Sequence, residues 1–278
     1  MKIVVDSGCV LSDEMKNQKD IVIESVPLTM QLGEKIFIDD ANLDVGEYLD
    51  EIARYPGTPK TAAPSPQEYL DHFEGEDTIF VVTLSAKLSA SYNGAILAKD
   101  MYLEKNPNAF VHVFDSKSAV SGETTIALKI CELARQNEPN EKIASVIDKF
   151  ISEEMKTYFI LENFDTAVKN GRMNPYAAKI AGVFNIKPIC HALDGKMEFL
   201  DKARGIQKAF TKLSEIVAKD NNFLENRTLS ISHVRNLERA EAVKEAILKK
   251  AKFKDVKVLG TTGLCATYAS QDGVVIAY

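Results

Sequence analysis

The sequence has 278 residues, of which 45% are hydrophobic, and a formal net charge of −6. At about 150 residues per domain this length predicts two domains, and the lack of a dense basic block argues against nucleic acid as a partner. The four cysteines lack the spacing of a zinc site, so we interpret them as free thiols. No apolar run reaches the roughly 18 residues of a membrane span. The N-terminal "MKIVVDS" lacks the apolar core of a signal peptide, so we expect a cytoplasmic protein without stable membrane insertion.

The first half of the chain alternates strand-like and helix-like segments. We predict strands over 2–5, 20–32, 34–39, 78–84 and 110–114, and helices over 44–55, 65–73, 123–136 and 140–155, with a further helix after Ser89. Asp44 with Glu47, and Ser65 with Glu68, have the spacing of a capping box at a helix N-terminus. Strands that alternate with helices favour a parallel sheet with crossover helices.

The second half has a different pattern. We predict strands over 157–163, 227–232, 255–259 and 273–278, and helices over 206–220 and 237–251. Residues 185–202 contain two apolar runs joined by Asp194 and Gly195, a pair that favours the tight turn of an antiparallel hairpin. The fold class that we predict is therefore α/β with two domains: an N-terminal α/β domain, 1–155, with a mainly parallel sheet and flanking helices, and a C-terminal mixed α+β domain, 156–278, with a partly antiparallel sheet.

The segment "TLSAKLSASYNGA" (83–95) places several hydroxyl residues at a predicted turn from a strand into a helix. Backbone N–H groups and the positive end of the helix dipole make such a turn suitable for binding an anion. Ser89 is either the N-cap of the following helix or a donor to a ligand. The glycines of a phosphate-binding loop and the G-x-S-x-G motif of a nucleophilic serine are both missing here.

Other candidate groups lie at strand ends and turns elsewhere in the chain. Thr61 precedes the Pro-rich "AAPSP", and Arg172 follows an Asn-Gly turn, where a guanidinium suits a carboxylate or phosphate. Asp6-Ser7 and Asp115-Ser116 end predicted strands, so they can share one rim of a parallel sheet with Ser89. This rim either holds a divalent metal or uses its aspartates to order turns.

Several short segments occur in an order that resembles the DegV family of bacterial fatty-acid-binding proteins, which includes the B-type subunits of fatty acid kinase. The segments span the chain and are "VVDSG", "VPLTM", "PKTAAPSP", "TLSAKLSASYNGA", "VFDSKSAVSGE", "KNGRMN", "NIKPI" and "GKMEFLDKARG", followed by a closing strand. The resemblance implies two α/β domains that bury one fatty acid. It also implies that Thr61 and Ser89 hold the lipid carboxylate, and that Arg172 and Arg204 face a kinase partner.

The sequence departs from the family pattern at several of these positions. Ala62 and Ala63 replace the Ser and Gln of the family's Thr-Ser-Gln-Pro-Ser-Pro, and Ala86 stands second where the family has Leu-Ser-Ser. In "YASQD", Tyr268 takes the place of the family's head-group histidine. A tyrosine hydroxyl can donate a hydrogen bond to a carboxylate, so we expect Tyr268 to be a third donor, with Arg172 nearby.

We therefore predict a lipid-binding protein, not an enzyme, that holds one long-chain fatty acid in a buried apolar tunnel. It would carry this ligand to a separate fatty acid kinase catalytic subunit, with no catalytic residue, metal or cofactor of its own. Two alternatives stay open. One is a metal-assisted hydrolase or phosphotransferase that uses Asp6, Asp115 and Ser89. The other is a binder of a different amphiphile, such as a bile acid or an isoprenoid, which the change to Tyr268 suggests.

Overall fold

The computed structural model describes residues 1–18, 20–220 and 223–278. The strands are β1 (Lys2–Asp6), β2 (Val22–Val26), β3 (Thr29–Leu32), β4 (Lys35–Ile38), β5 (Lys60–Ala62), β6 (Thr78–Thr83), β7 (Phe110–Asp115), β8 (Thr157–Ile160), β9 (Ile186–Leu193), β10 (Lys196–Arg204), β11 (Thr228–His233), β12 (Asp255–Gly260) and β13 (Val274–Ala277). The helices are α1 (Asp13–Lys16), α2 (Val45–Arg54), α3 (Pro66–Asp71), α4 (Ser91–Lys105), α5 (Ser121–Arg135), α6 (Asn140–Lys149), α7 (Asp165–Lys169), α8 (Pro175–Ala181), α9 (Ile206–Ala218), α10 (Leu237–Leu248) and α11 (Gly263–Ala269). A π-helical turn, Phe150–Glu154, extends α6, and a 3₁₀ turn, Leu224–Asn226, precedes β11.

A parallel sheet with the strand order β2-β1-β6-β7 lies in the N-terminal half. The central strands β1 and β6 are almost entirely buried, as expected when helices cover both faces of a parallel sheet. Phe80 and Phe114 of this sheet pack in one core with Ile126 of α5. The carboxyl ends of β6 and β7 lead into turns at 84–90 and 116–120. The parallel sheet predicted from the alternation of strands and helices is confirmed.

The apolar run 20–32 forms two strands rather than one, and they belong to different sheets. The chain breaks at Pro27, which lacks the N–H group that a strand ladder requires. After this break β3 pairs with β4 and β5 in an antiparallel sheet of order β4-β3-β5. The pairing sets Thr61 of β5 opposite Met30 of β3. Met30 is buried in a cluster with Leu264 of α11, so this small sheet brings Thr61 towards the C-terminal half.

The C-terminal half forms a mixed sheet with the order β10-β9-β8-β13-β11-β12. The antiparallel strands β9 and β10 are joined at Asp194 and Gly195, whose φ angles of 49° and 80° are both positive, as a type I′ turn requires. β11 is parallel to β12, whereas β13 is antiparallel to β11 and to β8. The predicted hairpin and the partly antiparallel sheet are confirmed.

Helix α5 packs on both of the larger sheets. Its apolar side chains belong to the core of the parallel sheet. On another side, Ser121 donates to the carbonyl of Val275 at 2.9 Å, and Thr125 donates to the hydroxyl of Ser230 at 3.0 Å, so its hydroxyls bind the mixed sheet. The helix thus fixes the two sheets relative to each other. The domain division after residue 155 stays a prediction.

Some element boundaries differ from the sequence prediction, and the short helix α11 was not predicted. β8 ends at Ile160 rather than at 163, and α5 begins at Ser121 rather than at 123. Helix α11 has seven residues, too few for apolar periodicity to separate a buried helix from a buried strand. None of the helices in the described ranges combines the length and the apolar character of a bilayer-spanning segment.

Candidate functional site

A cavity lies between the turns that follow β6 and β7 and the strands of the mixed sheet. It has about 820 Å³ of empty space, counting its open mouth. Its apolar lining consists of Leu28, Leu84, Leu88, Ala119, Val120, Phe159, Leu161, Ala192, Met197, Leu264, Cys265, Ala269 and Val275. Its other lining residues are Thr61, Ser89, Lys117, Ser118, Thr157, Arg172, Gly195, Lys196 and Tyr268. This lining suits a ligand with a long apolar part and one polar group.

The residues predicted to bind the ligand all line this cavity. Thr61 comes from β5, Ser89 from the turn before α4, Arg172 from the turn after α7, and Tyr268 from α11. Only the tertiary fold brings these four elements together, and the role of each residue in binding stays a prediction. Arg204, which is expected to face a partner, lies at the exposed end of β10 and is not among the lining residues.

The hydroxyl residues of the turn after β6 have different partners. Ser85 donates to the carbonyl of Gly195 at 2.7 Å, which ties the turn to the β9–β10 hairpin. The hydroxyl of Ser91 lies 3.0 Å from that of Tyr69. Ser89 accepts the N–H of Ser91 at 3.2 Å, and no acceptor in the described part of the chain takes its own hydroxyl proton. Ser89 is therefore the serine of this turn whose donor is left for a ligand.

The alternative in which Ser89 is the N-cap of α4 is wrong. The helix begins at Ser91, its N-cap position is Ala90, and no side chain caps it. The hydroxyl of Ser89 lies one residue before the N-cap position and accepts only the N–H of Ser91, the first residue of the helix, in the described part of the chain. By contrast, Ser65 forms the predicted capping box with Glu68 at the start of α3.

Thr61 and Tyr268 form a hydrogen-bonded pair of hydroxyls at the cavity. Thr61 Oγ1 and Tyr268 Oη are 2.8 Å apart, and either oxygen can be the donor. Because one proton joins the two oxygens, the second hydroxyl proton of the pair can be donated to a ligand. This position beside Thr61 supports the expectation that Tyr268 acts as a donor where the resemblance implies a histidine.

Arg172 contacts the turn before α4. Its Nε donates to the carbonyl of Leu88 at 3.2 Å, and its Nη1 donates to the carbonyl of Asn170 at 2.6 Å. Asn170 also donates to the carbonyl of Pro59 at 2.9 Å, near the start of β5. No ion pair joins Arg172 to a carboxylate in the described residues, so its positive charge remains for an anion in the cavity.

The group that holds α11 in place is a buried acid that was not predicted from the sequence. Asp39, directly after β4, accepts the N–H groups of Gly263 and Leu264 at 2.7 and 3.0 Å. Burial raises the pKa of the Asp39 carboxyl, and these donors oppose the rise. Thr262 is the N-cap and accepts the N–H of Cys265. A signal for the helix exists in Thr262, a favoured N-cap residue directly before "GLCATYA".

Two lysines and a strained residue that were not predicted from the sequence also line the cavity. Lys117 and Lys196 add positive charge to that of Arg172, which favours an anionic ligand in a chain with a net charge of −6. A lysine at a turn is usually solvated, so its sequence signal is weak. Val120 has a φ angle of 57°, a region that a β-branched residue rarely adopts and that often marks functional sites.

The aspartates of the predicted rim bind backbone amides. Asp6 is fully buried and accepts the N–H groups of Gly8 and Leu84 at 2.9 and 2.8 Å. Asp115 accepts two backbone N–H groups in the adjoining turns. Both carboxylates therefore order turns, which was one of the two roles considered for them. In the part of the chain that the structure describes, no three His, Cys, Asp or Glu side chains are grouped as metal ligands.

The fold and the cavity define an α/β protein with an internal, mainly apolar cavity between a parallel and a mixed sheet. The chain belongs to the DegV family, since the model of the family described as "Uncharacterised protein, DegV family" matches residues 1–278. The resemblance seen in the ordered sequence segments is thereby confirmed.

Similar proteins, two of them with solved structures, extend this assignment. A DegV domain-containing protein of Streptococcus gordonii is 34% identical over 278 residues, which is 100% of this chain and 98% of the relative. The crystal structure of a DegV family protein from Ruminococcus gnavus with vaccenic acid has a TM-score of 0.93 and 36% identity, covering 100% of this chain and 99% of that one. The Streptococcus pneumoniae Fatty Acid Kinase (Fak) B3 protein, loaded with linoleic acid, has a TM-score of 0.92 and 33% identity, covering 100% and 98%. These structural neighbours bind fatty acids.

Proposed function

We propose that this protein binds one long-chain fatty acid in the cavity and does not itself catalyse a reaction. The observation that carries the proposal is the lining of the cavity. It is mainly apolar and includes the hydroxyls of Thr61, Ser89 and Tyr268 and the guanidinium of Arg172. Burial of an acyl chain contributes about 0.8 kcal/mol per CH₂ group. The tail therefore supplies most of the affinity.

The carboxylate of the ligand requires donors, because an unpaired charge in an apolar cavity is costly. Ser89 and the Thr61–Tyr268 pair each have a hydroxyl proton for it. Hydrogen bonds to a charged group contribute about 1.5–3 kcal/mol each. Arg172 adds a favourable positive charge beside the turn that carries Ser89.

The relatives support the extension of fatty acid binding to this chain. The R. gnavus protein holds vaccenic acid, and the S. pneumoniae Fak B3 protein holds linoleic acid. Both are aligned with the whole of this chain at 33% identity or more. An apolar cavity between the two sheets is therefore expected to serve the same class of ligand here.

We also propose that the protein presents its fatty acid to a separate kinase. The catalytic subunit of that kinase would supply ATP and metal, and the name of the Fak B3 relative supports such a partner. Arg172 at the cavity and Arg204 at the exposed end of β10 are the proposed partner-facing residues.

Mass spectrometry of the organic extract of the purified protein tests the ligand. We expect one fatty acid per chain, and we expect the Ser89→Ala variant to lose most of it. An empty extract, together with no thermal stabilisation by added fatty acids, would overturn the proposal. A bile acid or an isoprenoid in the extract would instead identify a different amphiphile as the ligand.

Phosphoryl transfer from ATP to the bound fatty acid tests the kinase partner. We expect acyl phosphate only when this protein and a fatty acid kinase catalytic subunit are both present. The Arg204→Gln variant should lower the rate of transfer and leave fatty acid affinity unchanged. Phosphoryl transfer or ester hydrolysis by this chain alone with Mg²⁺ would contradict the non-catalytic role.

A further inference from the structure

The fold buries a second acid beside Asp6 that the proposed binding site does not use. Glu123, in the first turn of α5, is 0% exposed, as is Asp6. In the described residues, neither carboxyl oxygen of Glu123 has a hydrogen-bond partner. Its Oε1 lies 2.7 Å from the position that a Cβ atom on Gly8 would take, and the N–H of Gly8 donates to Asp6 Oδ1 at 2.9 Å, so the two acids lie side by side. Both acids cannot be ionised here without a large cost in free energy, because burial and mutual repulsion oppose the second charge.

Asp6 connects this pair of acids to the turn that carries Ser89. Its Oδ2 accepts the N–H of Leu84 at 2.8 Å, where the turn begins. Burial raises the pKa of the Asp6 carboxyl, and the Ser91 hydroxyl, where the turn ends, and the N–H of Leu84 oppose this rise. Because Asp6 accepts the N–H groups of Gly8 and Leu84 at 2.9 and 2.8 Å, and no hydrogen bond of comparable geometry reaches Glu123 in the described residues, the negative charge belongs on Asp6 and the proton on Glu123.

We propose that Asp6 and Glu123 share one proton, carried by Glu123, and that this acid pair positions the 84–91 turn so that Ser89 can bind the carboxylate of the ligand. Glu123 donates its proton to Asp6, which completes the set of donors around the Asp6 carboxylate. Glu123 is thus a positioning residue, since it acts on the ligand only through Asp6 and the turn.

The surroundings of Glu123 agree with a neutral acid. Burial, and after it the charge of Asp6, raises the pKa of Glu123 well above its ordinary range. The other titratable groups that face the pair are Tyr69 of α3, Cys9 after β1 and Cys265 of α11. Burial raises the pKa of each of these three groups, so they are neutral near neutral pH and supply no positive charge.

The shared proton gives the stability a defined dependence on pH. In the unfolded chain Glu123 ionises near its ordinary pKa, whereas in the folded chain it keeps its proton to higher pH. The stabilisation by the protonated Glu123 is therefore complete at pH values below the pKa of Glu123 in the unfolded chain. It is lost as the pH rises towards the pKa of Glu123 in the folded chain. For one proton, the ratio of folded to unfolded chains falls by up to about tenfold per pH unit in this interval.

Urea unfolding of the delipidated full chain tests the proton. Glu123→Gln keeps the shape and an N–H donor to Asp6 but cannot titrate. Between about pH 5 and about pH 8, the wild type should lose stability relative to Glu123→Gln. Parallel pH curves for the two proteins would overturn the proposal.

Glu162→Gln is the matched control for this pH series. Burial opposes the charge of Glu162, but its ion pairs with Lys187 and Arg239 lower its pKa. Its stabilisation is therefore present above the unfolded pKa and is lost only at acid pH. Over the same pH range, Glu162→Gln should be less stable than the wild type by a constant amount.

Hydrogen exchange of the 84–91 amides and fatty acid titration test the positioning role. Glu123→Leu leaves Asp6 without this donor, so we expect about tenfold faster exchange in the turn and affinity about tenfold weaker, both restored by Glu123→Gln. Unchanged exchange in Glu123→Leu would overturn the role in positioning. The affinity readout rests on the proposed function, whereas exchange and unfolding do not, so failures of the two proposals are distinguishable. If Glu123→Leu does not fold, hydrogen exchange of the 84–91 amides is compared between the wild type and Glu123→Gln at high pH, where the wild type loses the shared proton. Faster exchange in the wild type is expected, and equal exchange would overturn the role in positioning.

Discussion

Thr61 and Tyr268 share a hydrogen bond of 2.8 Å although 207 residues separate them in the sequence. The bond joins β5 of the small antiparallel sheet to α11 and places two hydroxyls on one side of the cavity. Two oxygens joined by one proton leave a second proton free, so the pair acts as a single donor to a ligand.

This arrangement predicts that the two hydroxyls substitute for each other. In Thr61→Val or Tyr268→Phe, the remaining hydroxyl keeps a proton for the carboxylate, so fatty acid affinity should fall by less than about fivefold. In the double variant the donor is lost, and affinity should fall by about tenfold or more. Isothermal titration with one fatty acid measures this cycle. A double variant that binds as well as the weaker single variant would contradict the shared-donor arrangement.

Ser89→Ala should weaken fatty acid binding by about tenfold or more, because it removes a hydrogen bond to a charged group. The folded state should lose little stability, since Ser89 is not the N-cap of α4 and the bond that it accepts from the N–H of Ser91 is long, at 3.2 Å. Ser214→Ala is a suitable control, because Ser214 is buried in α9 and donates to the carbonyl of Thr211 within the same helix. Equal affinities of the Ser89 and Ser214 variants would exclude Ser89 from the carboxylate site.

Local sequence signals predicted much of the fold. The alternation of strands and helices predicted the parallel sheet, and the Asp194–Gly195 pair predicted the hairpin because the turn requires positive φ at both positions. Thr61 and Ser89 became binding candidates through ordered segments that resemble a family, not through periodicity. Their position around one cavity depends on pairing that no local pattern encodes.

The groups that sequence analysis missed act over long distances in the chain. Asp39 binds the N-terminus of α11, although 224 residues separate it from Gly263. The local sequence "FIDD" does not indicate a contact with a helix so distant in the chain. The burial of Glu123 could not be predicted from the local sequence either, since an acid in the first turn of a helix usually faces solvent and complements the helix dipole. Its complete burial follows only from the packing of α5 between two sheets.

Arg172 and Arg204 offer a matched comparison of two arginines. Arg172→Gln removes a positive charge at the cavity, so fatty acid affinity should fall by several-fold to about tenfold, and the loss should be smaller at high salt. Arg204→Gln changes an exposed residue outside the cavity lining and should leave affinity unchanged. Fatty acid titrations of both variants at low and high salt measure the difference. Equal effects of the two substitutions would show that Arg172 has no specific role at the head group.

Asp39 should affect ligand binding through α11, although it does not touch the cavity. Asp39→Asn keeps one acceptor oxygen but sets an NH₂ group against the N–H of Gly263 or Leu264. We expect a loss of about 1–3 kcal/mol in the free energy of unfolding, because a buried donor is left without its acceptor. Fatty acid affinity should fall as well, since Tyr268 lies on the same helix.

Asp44→Ala provides the control for this last prediction, because Asp44 caps α2 by accepting the N–H of Glu47 at an exposed helix end. Loss of such a cap costs about 0.5–2 kcal/mol. Both variants should therefore unfold at lower urea concentrations than the wild type. In the absence of urea, where both variants are folded, only Asp39→Asn should weaken fatty acid binding. If the two variants bind equally well, Asp39 stabilises the fold without positioning Tyr268.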